Sequence, residues 1–170
     1  METGPLLNIL KLISASAALP EVLSVIARLI ESQNKEIACT IWLPDEEGKS
    51  LYCAAAPSLP GFATQVGNTA IGPKGASCGT AIYRRQPIYV PDILADAGWD
   101  DYRDRMTPFG TRSVWSRPLF SSKGKPLGTF AILSKEVRNP NDADLELIEN
   151  AADITSIAIE RHLNEEALRR

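Results

Sequence analysis

Histidine occurs once in the 170 residues, at His162, and cysteine three times, at Cys39, Cys53 and Cys78. The cysteines have no CxxC spacing and are odd in number, so neither a zinc site nor a secreted disulfide framework is expected. With the single histidine remote from the middle of the chain, no Ser/His/Asp or Cys/His arrangement offers itself for nucleophilic catalysis. The phosphate-loop pattern GxxxxGK[ST] is missing as well. Apolar runs fall far short of the ~20 residues that span a bilayer. The opening Met1-Glu2-Thr3-Gly4-Pro5 has no basic stretch ahead of an apolar one, so no signal peptide is expected. Positive charge is not in excess either: 18 Lys and Arg stand against 21 Asp and Glu, mixed along the chain, for a net charge of -3. A duplex or an anionic membrane would want a basic face, and none is visible. The expectation is a cytoplasmic, soluble, non-enzymatic domain without metal or cofactor, and without nucleic acid or membrane as partner.

What is present is the composition of one ordinary globular domain, with 44% hydrophobic and 23% charged residues. A chain of this length buries roughly 70% of the surface it exposes when unfolded. Leu6, Leu10, Ile13 and Ala17 share a helical face, which predicts an N-terminal helix over 1–18. Pro20 is suited to begin a second helix, in which Val22, Leu23, Ile26, Leu29 and Ile30 form an apolar stripe. The period then changes to two. Ile37, Cys39, Ile41 and Leu43 alternate with Ala38, Thr40 and Trp42, predicting a strand with both faces largely apolar. A turn over 44–48 and a second strand through Leu51, Cys53 and Ala55 complete a hairpin. Residues 57–112 are less regular, with a helix expected near 76–85 and a short apolar run at 88–90. Strands over 113–120 and 127–133 form a second hairpin through the turn residues 121–125.

The last segment, 141–170, reads as a long helix opening near Asn141 or Asp142. Leu145, Ile148, Ala152, Thr155 and Ile159 make one apolar row, and Leu147, Ala151, Ile154 and Ala158 make another. The two rows offer one side to a sheet and another to a partner helix. No glycine or proline stops this helix, which is expected to continue towards another domain. The fold class is therefore α/β in the α+β sense: a core over 20–138 with two antiparallel hairpins in one sheet, flanked by terminal helices.

The middle of the chain carries a more specific pattern. Ile71-Gly72-Pro73-Lys74-Gly75-Ala76-Ser77-Cys78-Gly79-Thr80-Ala81 is followed by Pro87-Ile88-Tyr89-Val90-Pro91-Asp92-Ile93, then by Trp99 and Tyr102-Arg103. Ser113-Val114-Trp115-Ser116-Arg117-Pro118-Leu119 and Leu127-Gly128-Thr129-Phe130-Ala131 complete the series. In this order and spacing the series resembles a GAF domain, of the type found in bacterial signalling proteins beside PAS, diguanylate cyclase (GGDEF), cyclic-di-GMP phosphodiesterase (EAL) or histidine kinase domains. The resemblance covers roughly residues 20–165. It implies a central antiparallel sheet of five or six strands, helices on one face, and a ligand pocket on the other beneath residues 60–112. It also implies a homodimer formed through terminal helices and a covalently linked output domain. The fold supports many ligands and names none.

Candidate ligand-binding residues are Cys78, Gly79, Thr80, Asp92, Trp99, Tyr102, Arg103, Ser113, Trp115 and Ser116. Gly75 to Gly79 either present free N–H groups to a phosphate or carboxylate at a helix start, or form a tight turn that the fold needs. Cys78 either acts as a redox sensor with a lowered thiol pKa or fills the pocket wall. Trp99 and Trp115 are suited to stack on a planar ligand, and Arg103 to pair with an anion. Alternatively Asp92 and Arg103 pair with each other and lock the connection, and Trp115 is ordinary core. Bilin attachment does not fit, because Cys78 is followed by Gly79. No NKFDE-type pattern of cyclic-GMP binders is visible. The free methionine sulfoxide reductases of this family need a cysteine in the segment corresponding to 92–112, which contains none here. The expected function is a small-molecule sensor, possible ligands including a nucleotide or another planar anion. The alternatives are a ligand-free dimerising spacer and a thiol switch using Cys78.

Overall fold

A strand with two apolar faces must lie inside a sheet that is covered on both sides. In the computed structural model, which describes residue 11 and residues 17–169, the sheet has six strands. They are β1 (Ile37–Pro44), β2 (Ser50–Ala55), β3 (Thr69–Ala70), β4 (Ile88–Val90), β5 (Ser113–Phe120) and β6 (Pro126–Ser134). Their order is β3-β2-β1-β6-β5-β4, and every neighbouring pair is antiparallel. The two expected hairpins, β1–β2 and β5–β6, are joined through the central β1–β6 pair, in which Cys39 opposes Ile132 and Ile41 opposes Phe130.

One face carries the two long helices, α1 (Leu19–Glu31) and, at the end of the chain, Asp142–Leu168. Val22, Leu23, Ile26 and Ile30 of α1 pack with Ile41, Phe130 and Ile132 of the sheet and with Ile148, Ala151, Ala152 and Ile159 of the terminal helix. The other face is covered by α2 (Phe62–Val66), α3 (Cys78–Arg84) and three 3-10 turns, Ile93–Ala95, Ala97–Trp99 and Arg103–Phe109. The terminal helix is accordingly α4 (Asp142–Leu168).

The two apolar rows of α4 meet the sheet and a helix of the same chain. Ile148, Ala152, Thr155 and Ile159 of one row and Ala151 and Ala158 of the other are all buried in the same core, and α1 is the helix they meet. Side chains left outside are Ile157, Leu163 and Leu168. Of the expected helix over 1–18, Leu6, Leu10 and Ile13 lie outside the described residues.

The start of α4 is fixed by chemistry that the sequence anticipated. The Asn141 side chain accepts from the Asp144 N–H at 2.9 Å, and the Asp144 carboxylate accepts from the Asn141 N–H at 2.9 Å. This reciprocal pair is a capping box. Arg138 reinforces it, donating from Nη1 to Asp144 Oδ2 at 2.6 Å. Burial opposes the charged form of Asp144, but Arg138 and the Asn141 N–H outweigh it and hold the carboxyl below the usual carboxylate range.

A folded-state pKa below the unfolded value means that Asp144 stabilises the fold above the ordinary carboxylate pKa of about 4 and loses that contribution as pH falls through its own lower value. In urea titrations from pH 7 to pH 2, the stability gap between the native protein and Asp144→Asn should therefore narrow below about pH 4. Asn141→Ala should cost about 1 kcal/mol at neutral pH, read as the shift in urea midpoint at unchanged slope.

Candidate functional site

Consecutive side chains of a strand point to opposite faces, so β5 divides its residues between the two layers. Val114 faces the layer of α2, α3 and the 3-10 turns, and Ser116 meets Cys78 there, whereas Trp115 lies in the helix-side core. Beneath that second layer is an internal cavity of about 20 Å³, room for about one water molecule. The sheet contributes Thr40 and Trp42 of β1, Val114 of β5, and Ala131 and Leu133 of β6. Phe62 and Val66 of α2, with Thr69 of β3, close one side, and Ala76, Cys78, Trp99 and Met106 close the other. None of these residues is charged.

The walls are built by close backbone approach. A Cβ on Gly75 would come within 2.0 Å of the Ala70 carbonyl oxygen, and one on Gly79 within 1.9 Å of it. The glycines let α3 lie directly on β3. The Gly75 N–H donates to Thr80 Oγ1 at 3.1 Å, the Ala76 N–H to the Gly98 carbonyl at 3.1 Å, and the Gly79 N–H to the Gly75 carbonyl at 3.0 Å. Three of the five N–H groups considered for an anion are thus engaged within the protein, and the seven-residue α3 is a packing device.

The other expected residues fall into three groups. Cys78 and Trp99 line the cavity. Trp99 donates from Nε1 to Ser77 Oγ at 2.9 Å, and Ser116 Oγ lies 3.3 Å from Cys78 Sγ. A second group pins the covering segment. Thr80 donates to the Ala76 carbonyl at 2.7 Å, and the Tyr102 oxygen accepts from the Ala70 N–H at 2.9 Å. Arg103 donates to the carbonyls of Ile93 at 3.0 Å and Asp96 at 2.7 Å, and to Asp100 at 2.9 Å. Asp92 accepts from Arg112 at 3.2 and 3.0 Å and from the Leu94 N–H at 3.0 Å. Asp92 and Arg103 therefore both lock the connection, but through other partners than each other. Hydrogen bonding from Arg112 holds the Asp92 carboxyl below its usual range.

The third group lies across the sheet. Trp115 packs in the helix-side core and donates from Nε1 to the Arg138 carbonyl at 3.2 Å, while the Arg138 guanidinium sits 4.6 Å from the ring centroid. Ser113 shares that face by register and is fully buried, its Oγ without a hydrogen-bond partner among the described residues. The structure thus separates Trp115 and Ser113 from the cavity, because the pleat that brings Ser116 to Cys78 turns their side chains the other way.

Cys78 is 5% exposed, and burial pushes its thiol up to about 12, against the lowering that a helix start would give. Burial does the same to Cys53, also to about 12, and pushes Cys39 up on the opposite face. The thiol-switch reading of Cys78 needs an accessible thiolate, which this environment disfavours. His162 stands on α4 with Nε2 3.3 Å from Glu166 Oε1, beside an open surface groove of about 1250 Å³. That groove is lined by charges of both signs, among them Glu46, Glu47, Arg85 and Lys125, and by none of the expected ligand-binding residues. Among the described residues no cluster of His, Cys, Asp and Glu is arranged to hold a metal ion, and no helix is long and apolar enough to cross a membrane.

The cavity residues that were not among the expected ligand-binding residues are Phe62, Val66, Thr69, Ala76 and Met106 in the irregular segment, Val114 in β5, Ala131 and Leu133 in β6, and Thr40 and Trp42 in β1. The alternation of β1 was the signal available for the last two, since it places them together on the face opposite Ile41.

Comparison with known proteins gives a consistent result. A family model described as GAF domain matches residues 14–160. The methyl sulfide methyltransferase-associated sensor of Methanosarcina acetivorans is 32% identical over 163 residues, a match that takes in 95% of this chain and 16% of that protein. The chain thus spans about a sixth of the relative's length. Among solved structures, residues 122 to 287 of a methyl-accepting chemotaxis protein superpose with a TM-score of 0.73 at 23% identity, covering 91% of this chain and 96% of that one. The GAF domain of an Acinetobacter phosphoenolpyruvate-protein phosphotransferase gives 0.70 at 16% identity, covering 96% and 95%. A type II free methionine-R-sulfoxide reductase from Thermoplasma acidophilum gives 0.66 at 13% identity, covering 85% and 97%. These likenesses concern the fold.

Two outcomes follow from the local geometry. In the folded protein at pH 8, iodoacetamide should modify Cys78 at least about a hundredfold more slowly than in urea, because a thiol with so high a pKa is almost wholly protonated. Rapid native-state labelling at Cys78 would contradict the burial described. Gly79→Ala should destabilise by about 2–3 kcal/mol, measured by urea unfolding, since its Cβ meets backbone that cannot rotate away.

Proposed function

The chain belongs to the GAF domain family, and from that premise we propose that it is a sensory, regulatory domain whose internal cavity binds a small molecule and whose terminal helix reports occupancy to a linked output domain. The carrying observation is the cavity lined by buried, uncharged residues on the sheet face opposite α1 and α4, with Trp42, Phe62 and Trp99 in its walls. Aromatic walls with a few polar groups are what small-molecule sites use. Its relative from Methanosarcina acetivorans is a sensor, which supports a signalling role here.

Strand β5 offers the coupling. Ser116 meets the cavity wall at Cys78, and the adjacent Trp115 carries Arg138, which in turn holds Asp144 at the start of α4. A ligand that fits the cavity in one arrangement of β5 better than in another shifts the population between them; equal affinity for both would regulate nothing. The exposed Ile157, Leu163 and Leu168 on α4 support a homodimer formed through this helix. The resemblance to signalling domains of the cyclic-di-GMP and histidine-kinase systems supplies the kind of output domain to look for.

The small cavity favours a second reading, a spacer that dimerises and binds nothing. Thermal unfolding against cyclic mononucleotides, cyclic dinucleotides, amino acids, haem and small neutral organic compounds separates the two. A ligand at 100 times its Kd adds about 2.7 kcal/mol, which raises the midpoint by about 5–10 °C for a domain of this size. Such a shift from one compound, lost in Trp99→Ala, is the expected result. No shift from any compound, with a dimer intact throughout, would favour the spacer.

A further inference from the structure

Two buried hydroxyl oxygens are without a hydrogen-bond partner among the described residues, Thr69 Oγ1 and Ser113 Oγ. Ser113 sits in the helix-side layer, but Thr69, which is 3% exposed, lines the cavity. Buried polar groups are normally paired, and one left unmatched beside an internal void marks a place for a partner that is not part of the chain. The neighbouring hydroxyl has one bond within the chain: Thr40 Oγ1 accepts from Trp42 Nε1 at 2.9 Å.

The rest of the lining defines what that partner can be. It is aromatic, aliphatic or sulfur-bearing, from Trp42, Phe62, Val66, Cys78, Trp99 and Met106, and carries no charge. The two arginines of the 3-10 turn Arg103–Phe109 are turned elsewhere, Arg103 to the carbonyls of Ile93 and Asp96 and Arg105 to the carbonyl of Val66 at 3.0 Å. An anion here would be stripped of water without a counter-ion. Nucleotides and carboxylates are thereby disfavoured.

A short element lies over the cavity. Helix α2 is five residues long and is bounded by Gly61 at φ 75° and Gly67 at φ 70°, backbone conformations that favour glycine. Its two buried residues, Phe62 and Val66, are the ones that close the cavity. Phe62 is held edge-on to Trp42 at 6.0 Å and against Phe109 at 5.0 Å, contacts that a swing of α2 would break and reform.

We infer that the cavity, which when closed has room for about one water, is enlarged by outward displacement of α2 to take a small neutral ligand, an apolar molecule of a few non-hydrogen atoms with one hydrogen-bonding atom for Thr69. This rests on the sensory reading above and narrows it to a ligand class.

Methyl NMR on the full chain tests it, because Met1 and Met106 are the only methionines and the Met106 methyl reports the cavity. The probes are butanone, butyrate of similar size, and cyclic AMP. Butanone should shift the Met106 signal saturably and butyrate should leave it in place. Thr69→Val should weaken butanone binding about fivefold through the lost hydrogen bond. Phe62→Ala, which makes room, should strengthen it, and it serves as the second variant should Thr69→Val fold poorly. A larger response to butyrate or cyclic AMP than to butanone would overturn the neutral class and leave the sensory reading standing. Silence of the Met106 methyl towards every probe, in both the native protein and Phe62→Ala, would overturn the ligand class and count against the sensory reading. Butanone binding unchanged in Thr69→Val would overturn the role given to Thr69.

Discussion

Every residue of β6 from Leu127 to Ser134 is buried, so this strand tolerates solvent on neither face. The rest of the architecture answers that constraint. On one side α1 and α4 supply long apolar stripes, enough to cover Ile41, Phe130 and Ile132. On the other side the chain has only short elements, which cannot cover the sheet by regular helix packing. They are fastened instead by polar groups: Tyr102 to the backbone of Ala70, Arg103 to two carbonyls, Arg112 to Asp92, and Trp99 to Ser77. A cover held at its edges leaves a small void at its centre, and that void is the candidate site.

The same pleat that separates the two faces also connects them. Val114 lines the cavity, Trp115 lies among the helices, and Ser116 returns to Cys78. Trp115 is bracketed by Arg138, whose carbonyl accepts from the indole, whose guanidinium covers the ring, and whose charge is neutralised by Asp144 in the first turn of α4. On the proposed function, a displacement of β5 by the width of a ligand atom would reach a helix cap through three side chains, Trp115, Arg138 and Asp144. Packed interfaces tend to have discrete arrangements rather than to deform smoothly, which suits a two-state report.

Much of this was legible in the sequence, for reasons that can be named. The alternation of 37–43 gave β1 and its two-faced burial, and the asparagine before an acidic turn gave the start of α4. Ordered glycines, tryptophans and the Arg103 segment carried the family resemblance, later matched over residues 14–160. Side-chain destinations were less accessible. When both faces of a strand are apolar, sequence alone does not say that Trp115 goes to the helices and Val114 to the cavity. Arg103 had carboxylates within reach in sequence, but its partners are mainly backbone carbonyls, and these exist only once the 3-10 turns have formed. Thr69 sits in a two-residue strand with no pattern around it, and its importance comes wholly from what fails to meet its hydroxyl.

The central claim is that the cavity and the start of α4 belong to one mechanical unit. Amide hydrogen exchange at Asp144 and Leu145, whose N–H groups both bond to Asn141, measures it directly in the native protein with and without saturating butanone. A change in protection at these amides, accompanying one at the cavity strand β5, is the result this account predicts. Altered exchange along β5 and α2 with Asp144 and Leu145 unmoved would contradict it.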